Sequence, residues 1–206
     1  MYLVGGTADD ELPAVAAVLG EAFQDDPVVV GMVGRGPGRR ERATHLYAAL
    51  LRAEGADAVV VDVARDDEGA VVGAAVWERP GTCGPSLPTL LREMPTFLRA
   101  LGVAGVPRAL RGLSAFSHSR PAGPHWYLGE IGVATAARGA GVGSRLLAHR
   151  LRHVDATGVG AYLESSTTRN RALYARHGFV ERGEIRGVPG AHPVAMWREP
   201  RPALLR

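Results

Sequence analysis

The chain has 206 residues, 46% of them hydrophobic and 22% charged, which suits one globular core and excludes a disordered or fibrous protein. All 24 basic residues are Arg, a pattern that reads as codon bias; against 21 acids they leave a net charge of only +3. The Arg are interspersed with acids, which argues against a nucleic-acid partner, while the basic balance suits a polyanionic cofactor equally well.

The single cysteine, Cys83, excludes an internal disulfide and a Cys-rich zinc site. It lies in the Pro/Gly-rich stretch Pro80 to Pro88, with no adjacent His or acid to make it a nucleophile. Met1 to Gly6 lacks a basic region followed by an apolar run, and no stretch approaches the ~18 apolar residues of a membrane span, so the chain reads as soluble and cytoplasmic.

In chain order, Tyr2 to Val4 reads as a short strand and Thr7 as the N-cap of a helix with Asp9, Asp10 and Glu11 in its first turn. Leu12, Val15, Val18, Leu19, Ala22 and Phe23 form its apolar face, and Asp26-Pro27 breaks it. A second helix runs from Arg39 to Ala53. Ala58 to Ala64 and Ala70 to Trp77 are β-branched runs joined by a polar turn, hence a hairpin. Leu87 to Leu113 is helical in pattern but carries Pro95 and Pro107, so two or three short helices are expected. Ser114 to Pro124 reads as a polar loop, a candidate lid. After that come a strand at His125–Ala134, a helix from Ser144 to about Thr157, a strand at Ala161–Glu164 and a helix at Thr168–His177. Two closing strands, Val180–Ile185 and Val194–Trp197, complete a single α/β domain with an insert at about 87–124.

The informative stretch is Gly132 to Ser144, in which an apolar strand leads through Arg138-Gly139-Ala140-Gly141-Val142-Gly143 into a helix. Glycines let backbone approach an oxyanion closely. The first N–H groups of a helix lack internal partners and sit at the positive end of its dipole, so this turn suits a pyrophosphate, with Arg138 adding a formal charge. A ligand-free glycine cap is the bland alternative. A dinucleotide fingerprint would need G-x-G-x-x-G, whereas the spacing here is G-x-G-x-G; a nucleotide P-loop would need a Lys.

The loop resembles the acyl-CoA pyrophosphate loop of the GCN5-related N-acetyltransferase (GNAT) superfamily. The run from Tyr162 to Phe179, with Asn170, Tyr174 and the His177-Gly178-Phe179 cap, is similar to the second signature of that family. Glu21-Ala22-Phe23 with Asp26-Pro27, His125-Trp126-Tyr127-Leu128 and the Asn170 run further resemble the puromycin N-acetyltransferase-like branch.

The resemblance implies a mixed, mostly antiparallel sheet with helices on both faces and a splayed central strand pair. It also implies acetyl-CoA as cosubstrate, no metal, and direct acetyl transfer to an amine. Backbone of Ile131, Gly132 and Val133 would meet the pantetheine arm; Arg138, Gly139, Ala140, Gly141, Val142, Gly143 and Ser144 would hold the pyrophosphate, and Asn170 would contact the cofactor. Tyr174 would donate to the departing thiolate. A phenol near pKa ~10 and a thiol near ~8.5 make full proton transfer uphill, so a hydrogen-bond role comes first.

Glu130 is the first candidate for the base and Glu164 the second, with His125 and His118 behind them; strand alternation leaves open which face Glu130 takes. His149 and His153 have a metal-ligand spacing but lack a third ligand, and read as a solvated helix face. The expected acceptor is a primary amine of a small molecule, aminonucleoside or antibiotic-like, which would fit antibiotic resistance. A protein α-amine or lysine, or an acyl-CoA sensor without turnover, are the alternatives. The chain is expected to act as a monomer or homodimer, without nucleic acid or membrane.

Overall fold

The computed structural model describes residues 2–55, 57–82 and 84–201, so Cys83 lies outside the described residues. Seven strands form one sheet: β1 (Leu3–Gly6), β2 (Val59–Arg65), β3 (Val71–Glu78), β4 (Trp126–Val133), β5 (Ala161–Ser165), β6 (Val180–Glu184) and β7 (Val194–Arg198). Their order is β1-β2-β3-β4-β5-β7-β6, and every neighbouring pair is antiparallel except β4 and β5.

Helices cover both faces. On one face, α1 (Leu12–Phe23) and α3 (Arg39–Ala53) pack over Val61, Val63, Ala74 and Val76, with α2 (Pro27–Val33) and α4 (Leu87–Ser119) beyond them. On the other, α5 (Val142–Ala156) lays Leu146, Leu147, Leu151 and Val154 on Ala75, Trp77, Leu128 and Leu163. The remaining helix, α6 (Thr168–Arg176), follows β5. A buried ion pair, Arg150 to Asp62, ties α5 to β2.

The sequence expectations meet three corrections. Asp26-Pro27 ends α1 but also starts α2, because Asp26 Oδ1 accepts the N–H groups of Val28 (2.9 Å) and Val29 (3.4 Å) and proline at the first position loses no hydrogen bond. The insert breaks at neither proline. The expected division into short helices is present, but it falls at Gly102. Helical structure runs from Leu87 to Ser119 as two helices, grouped here as α4, that meet at this residue, whose φ of 61° only glycine adopts readily. The expected loop at Ser114–Pro124 is therefore mostly the end of α4, and the connection to β4 is correspondingly short. Thr7 is likewise not the cap: its hydroxyl donates to Glu11 instead, and Ala8 occupies the cap position of a short 3-10 turn.

Two features of β4 set up the site. First, its pairing with β3 slips between Val76↔Glu130 and Trp77↔Leu128, so Gly129 is an extra, bulged residue. The slip reverses the alternation. Leu128 faces the α5 side and, two residues on, Glu130 faces the opposite side, together with Val76. Second, β4 pairs with β5 only at Trp126, Tyr127 and Leu128. Beyond Leu128 the two strands splay, and the β5-side backbone of Gly129–Val133 has no strand beside it.

Gly132 serves packing rather than distortion. A Cβ there would fall 2.9 Å from both Ala22 Cβ and Leu19 Cδ2, so α1 crosses directly over the strand. Gly132→Ala is expected to cost about 1–3 kcal/mol by overpacking, seen as a fall of several degrees in Tm by calorimetry; an unchanged Tm would show that α1 yields freely.

Candidate active site

The turn into α5 combines open space with backbone N–H groups that the helix leaves unpaired. Gly139 and Gly141 have φ of 83° and 78°, a region that side chains rarely adopt, and space around both is open. Gly141 is the N-cap of α5 and has no side chain to offer the helix. The first helical bond runs from Arg145 N–H to Gly141 carbonyl, which leaves the N–H groups of Val142, Gly143 and Ser144 without partners inside the helix. Val142's side chain is core; only its backbone faces the turn. Ala140 and Arg138 are exposed, and Arg138 reaches back by long bonds to the carbonyls of Val133 (3.4 Å) and Ala22 (3.3 Å), keeping its charge at the mouth. Glu21 accepts the Thr135 N–H at 2.7 Å and pairs with Arg40, locking α1 to this loop.

The hydroxyl of Ser144 is not free for an anion. It lies 2.7 Å from Nε2 of His177, whose pKa is held below the usual imidazole value by burial and by Arg176, Arg198 and Arg201, so the neutral ring can accept the hydroxyl proton. This bond and the neighbourhood of Gly143 and Leu173 bring α5 and α6 together. On α6, Thr167 is the N-cap and accepts the Asn170 N–H, which leaves the Asn170 amide side chain uncommitted to capping. One turn on, Tyr174 is buried against Phe179, and burial together with the Asp26 carboxylate pushes its phenol pKa up. It is therefore a protonated donor at any working pH.

On the far side of the splay lies a cavity of about 640 Å³. Its sheet wall is Val76, Glu78, Tyr127, Gly129, Glu130 and Glu164; α1, α2, α3 and α4 close the rest with mainly apolar side chains. The bulge at Gly129 thus settles the orientation of Glu130, which faces this cavity. Glu54, at the end of α3, faces it too.

The electrostatics of this wall are one-sided. Arg120 makes a bidentate pair with Glu78 (2.7 and 3.0 Å) and lies 3.7 Å over the Tyr127 ring, so these two side chains are partnered to each other. Three carboxyls remain. Burial, then the fields of Glu78, Glu54 and Glu164, push Glu130 up to about 8. Burial and Glu78 push Glu54 to about 7. Burial pushes Glu164 to about 7, against the opposing pull of Tyr127 and Arg120. One buried oxygen each of Glu54 and Glu164 has no hydrogen-bond partner among the described residues. Such groups exchange protons near neutral pH, where a general base works best.

Both expected carboxylates therefore meet at one site, while the lesser candidates do not. His118 sits on α4 with Nδ1 2.6 Å from the Ser114 carbonyl, and His125 lies edge-on to Tyr162 and Trp197; neither lines the cavity. His149 and His153 have separate surroundings, beside Asp62 and against Trp126. Glu54, Glu78 and Arg120 were not legible as site residues. They come from three distant elements and no spacing links them.

A sheet whose central strands splay beside a glycine-rich helix start, with buried carboxyls across the gap, defines an acyltransferase-type site. Residues 34–179 match the model of the acetyltransferase (GNAT) family, and the chain belongs to that family of acyltransferases, whose acetyl donor is acetyl-CoA. A solved structure described as histone acetyltransferase HPA2 and related acetyltransferase, from Corynebacterium glutamicum, is 31% identical, with 99% of each chain covered and a TM-score of 0.74. An agmatine N-acetyltransferase mutant shares the fold at 15% identity (95% of this chain and 97% of that chain; TM-score 0.61). So does the ribosomal-protein-S18-alanine N-acetyltransferase of Escherichia coli at 14% (100% and 98%; TM-score 0.56).

The raised carboxyl pKa has a stability consequence. Between its ordinary value of 4.5 and about 8, Glu130 keeps a proton in the folded chain that the unfolded chain releases, so stability falls as pH rises through that window. Glu130→Gln, which cannot ionise, is expected to raise Tm by several degrees at pH 8.5 and by much less at pH 5. An equal gap at both pH values would show that Glu130 ionises freely.

Proposed function

We propose that the chain transfers acetyl from acetyl-CoA to the primary amine of a small molecule enclosed beneath α4. The observation that carries this reading is the open edge of β4, which runs from the unpartnered N–H groups of α5 to the carboxyl-lined cavity. In this reading the N–H groups from Val142 to Ser144, with Arg138, Gly139, Ala140 and Gly141, hold the pyrophosphate, while the backbone of Ile131, Gly132 and Val133 holds the pantetheine arm. Asn170 contacts the same ligand from α6. When bound, acetyl-CoA supplies a thioester carbonyl at the splay.

Glu130, with Glu164 as the alternative base, takes a proton from the acceptor ammonium; the freed nitrogen lone pair then attacks the thioester carbonyl, the amide C–N bond forms, and the C–S bond breaks with the thiolate leaving. The ammonium, with pKa near ~10, gives its proton to a carboxylate near pH 8 far more readily than to one of ordinary acidity. Tyr174 donates a hydrogen bond where negative charge develops on sulfur. A protein acceptor, as named for the Corynebacterium relative, is the second reading; closure of the cavity by α4 favours the small molecule over an open peptide groove. Membership in the puromycin N-acetyltransferase-like branch, an aminonucleoside or antibiotic-like acceptor and cytoplasmic action of a single-domain monomer or homodimer belong to the same proposal. Among the described residues no helix is long and apolar enough to cross a membrane.

Acetyl-CoA at well above micromolar concentration is expected to raise Tm, whereas NAD and ATP are not, because a ligand bound only to the folded state must stabilise it. No rise with acetyl-CoA would reduce the glycine turn to a structural cap. Tyr174→Phe is expected to leave acetyl-CoA affinity intact and to lower kcat on the order of 10²-fold; unchanged kcat would remove Tyr174 from the chemistry. As the deprotonated carboxylate is the active form, kcat/KM should climb with pH through about 8, and Glu130→Gln should abolish that limb. A limb that survives the substitution points to Glu164 or to water.

A further inference from the structure

The cavity has two unlike ends. Among the described lining residues, the carboxyls without an ion-pair partner gather at one end, Glu130 and Glu164 on the sheet and Glu54 at the end of α3, whereas Glu78 is paired with Arg120 and Asp26 accepts from Ser166 and the start of α2. The opposite wall, from α4, presents Met94, Phe97, Leu101, Val106, Leu110 and Leu113, and among its described lining residues α4 offers no acid or base. This asymmetry is not explained by folding. Three half-buried, desolvated carboxyls, two of them with a buried oxygen that has no hydrogen-bond partner among the described residues, cost stability. A roof that is apolar on its cavity side would otherwise be expected to close onto the sheet.

The rim carries the same chemistry. Met94, Leu110 and Leu113 line the cavity and are at the same time 38%, 61% and 56% exposed, so apolar surface continues from solvent into the interior. A soluble monomer exposes such contiguous apolar surface mainly where it binds something. A free amino sugar or a peptide would bring many hydroxyls or amides to this roof, where Ser117 is the polar side chain that α4 offers among the described lining residues.

We propose that the acceptor is a lipophilic primary amine, with one amino group seated among Glu54, Glu130 and Glu164 and an alkyl or aryl body lying against α4. This deepens the acetyl-transfer reading and rests on it. The amino group meets the carboxyls that have no ion-pair partner among the described lining residues, and the body replaces water along the roof. Each methylene that passes from solvent to the α4 wall adds apolar burial. Met94 and Leu113, at the rim, determine how far that gain extends.

The test is thiol release at saturating acetyl-CoA with n-alkylamines from propylamine to octylamine, beside glucosamine, spermidine and a peptide with a free N-terminus. The expected result is a kcat/KM that climbs about fourfold per methylene, the factor corresponding to ~0.8 kcal/mol, until the cavity is filled, with the polar amines and the peptide below octylamine. Met94→Gln and Leu113→Asn, both at partly exposed positions and checked by Tm, are expected to flatten that slope. Equal kcat/KM for propylamine and octylamine, a slope unaltered in both variants, or preference for glucosamine, spermidine or the peptide would overturn the inference while leaving acetyl transfer standing. No thiol release with any amine would take the acetyl-transfer reading down as well.

Discussion

The bulge at Gly129 and the parting of β4 from β5 immediately after Leu128 are one constraint with two consequences, and the site depends on both. An extra residue in one strand of an antiparallel pair cannot be absorbed by the ladder, so the alternation of side chains reverses. Without that reversal Glu130 would share the side of Leu128 and lie buried under α5, an unpaired acid in an aliphatic cluster. With it, the acid faces a cavity. The same disturbance coincides with the end of pairing to β5, which exposes a run of strand backbone at mid-sheet, where an extended ligand can pair with it.

The rest of the molecule is arranged around this opening. Gly132 lets α1 cross β4 at close range, and Glu21 on α1 fixes the loop that leads to α5. Gly139 and Gly141 shape the turn, while the Ser144–His177 bond draws α6 beside it. Asp26 occupies a central position: it caps α2, accepts from Ser166 beside the cavity and raises the Tyr174 phenol. The glycine turn of α5, the buried Tyr174 and the acidic wall are thereby held on regular elements around one splay.

Burial gives the carboxyls their chemistry. Solvated acids near pKa 4.5 would be poor bases for an ammonium. Glu54, Glu130 and Glu164 are all desolvated and all feel the Glu78 carboxylate, and Glu54 and Glu164 add their fields at Glu130, which moves the three toward neutrality at a cost in stability above pH 5. Arg120 relieves that repulsion only in part: its charge lowers each of the three, while its fork pairs with Glu78 and its plane lies on Tyr127.

What the sequence determined by itself was local chemistry: the glycine turn before α5, the helix that starts at Thr168 with Asn170 and Tyr174 one turn apart, the β2–β3 hairpin, and the type and order of most of the elements it recognised. These follow from short-range rules, since positive φ requires glycine, apolar residues repeat with the period of their element, and orphan N–H groups sit at a helix start. Proline misled at two points for the same reason, because its effect depends on context. It begins α2 at Pro27, and it is tolerated within α4, where glycine makes the bend. Only the tertiary structure decided which way Glu130 faces, because a one-residue slip in strand pairing leaves no periodic mark. Only it could bring Glu54, Glu78 and Arg120 to the same wall, since burial and charge coupling depend on what lies nearby in space, and these three residues are neighbours only once the sheet and α4 have closed around them.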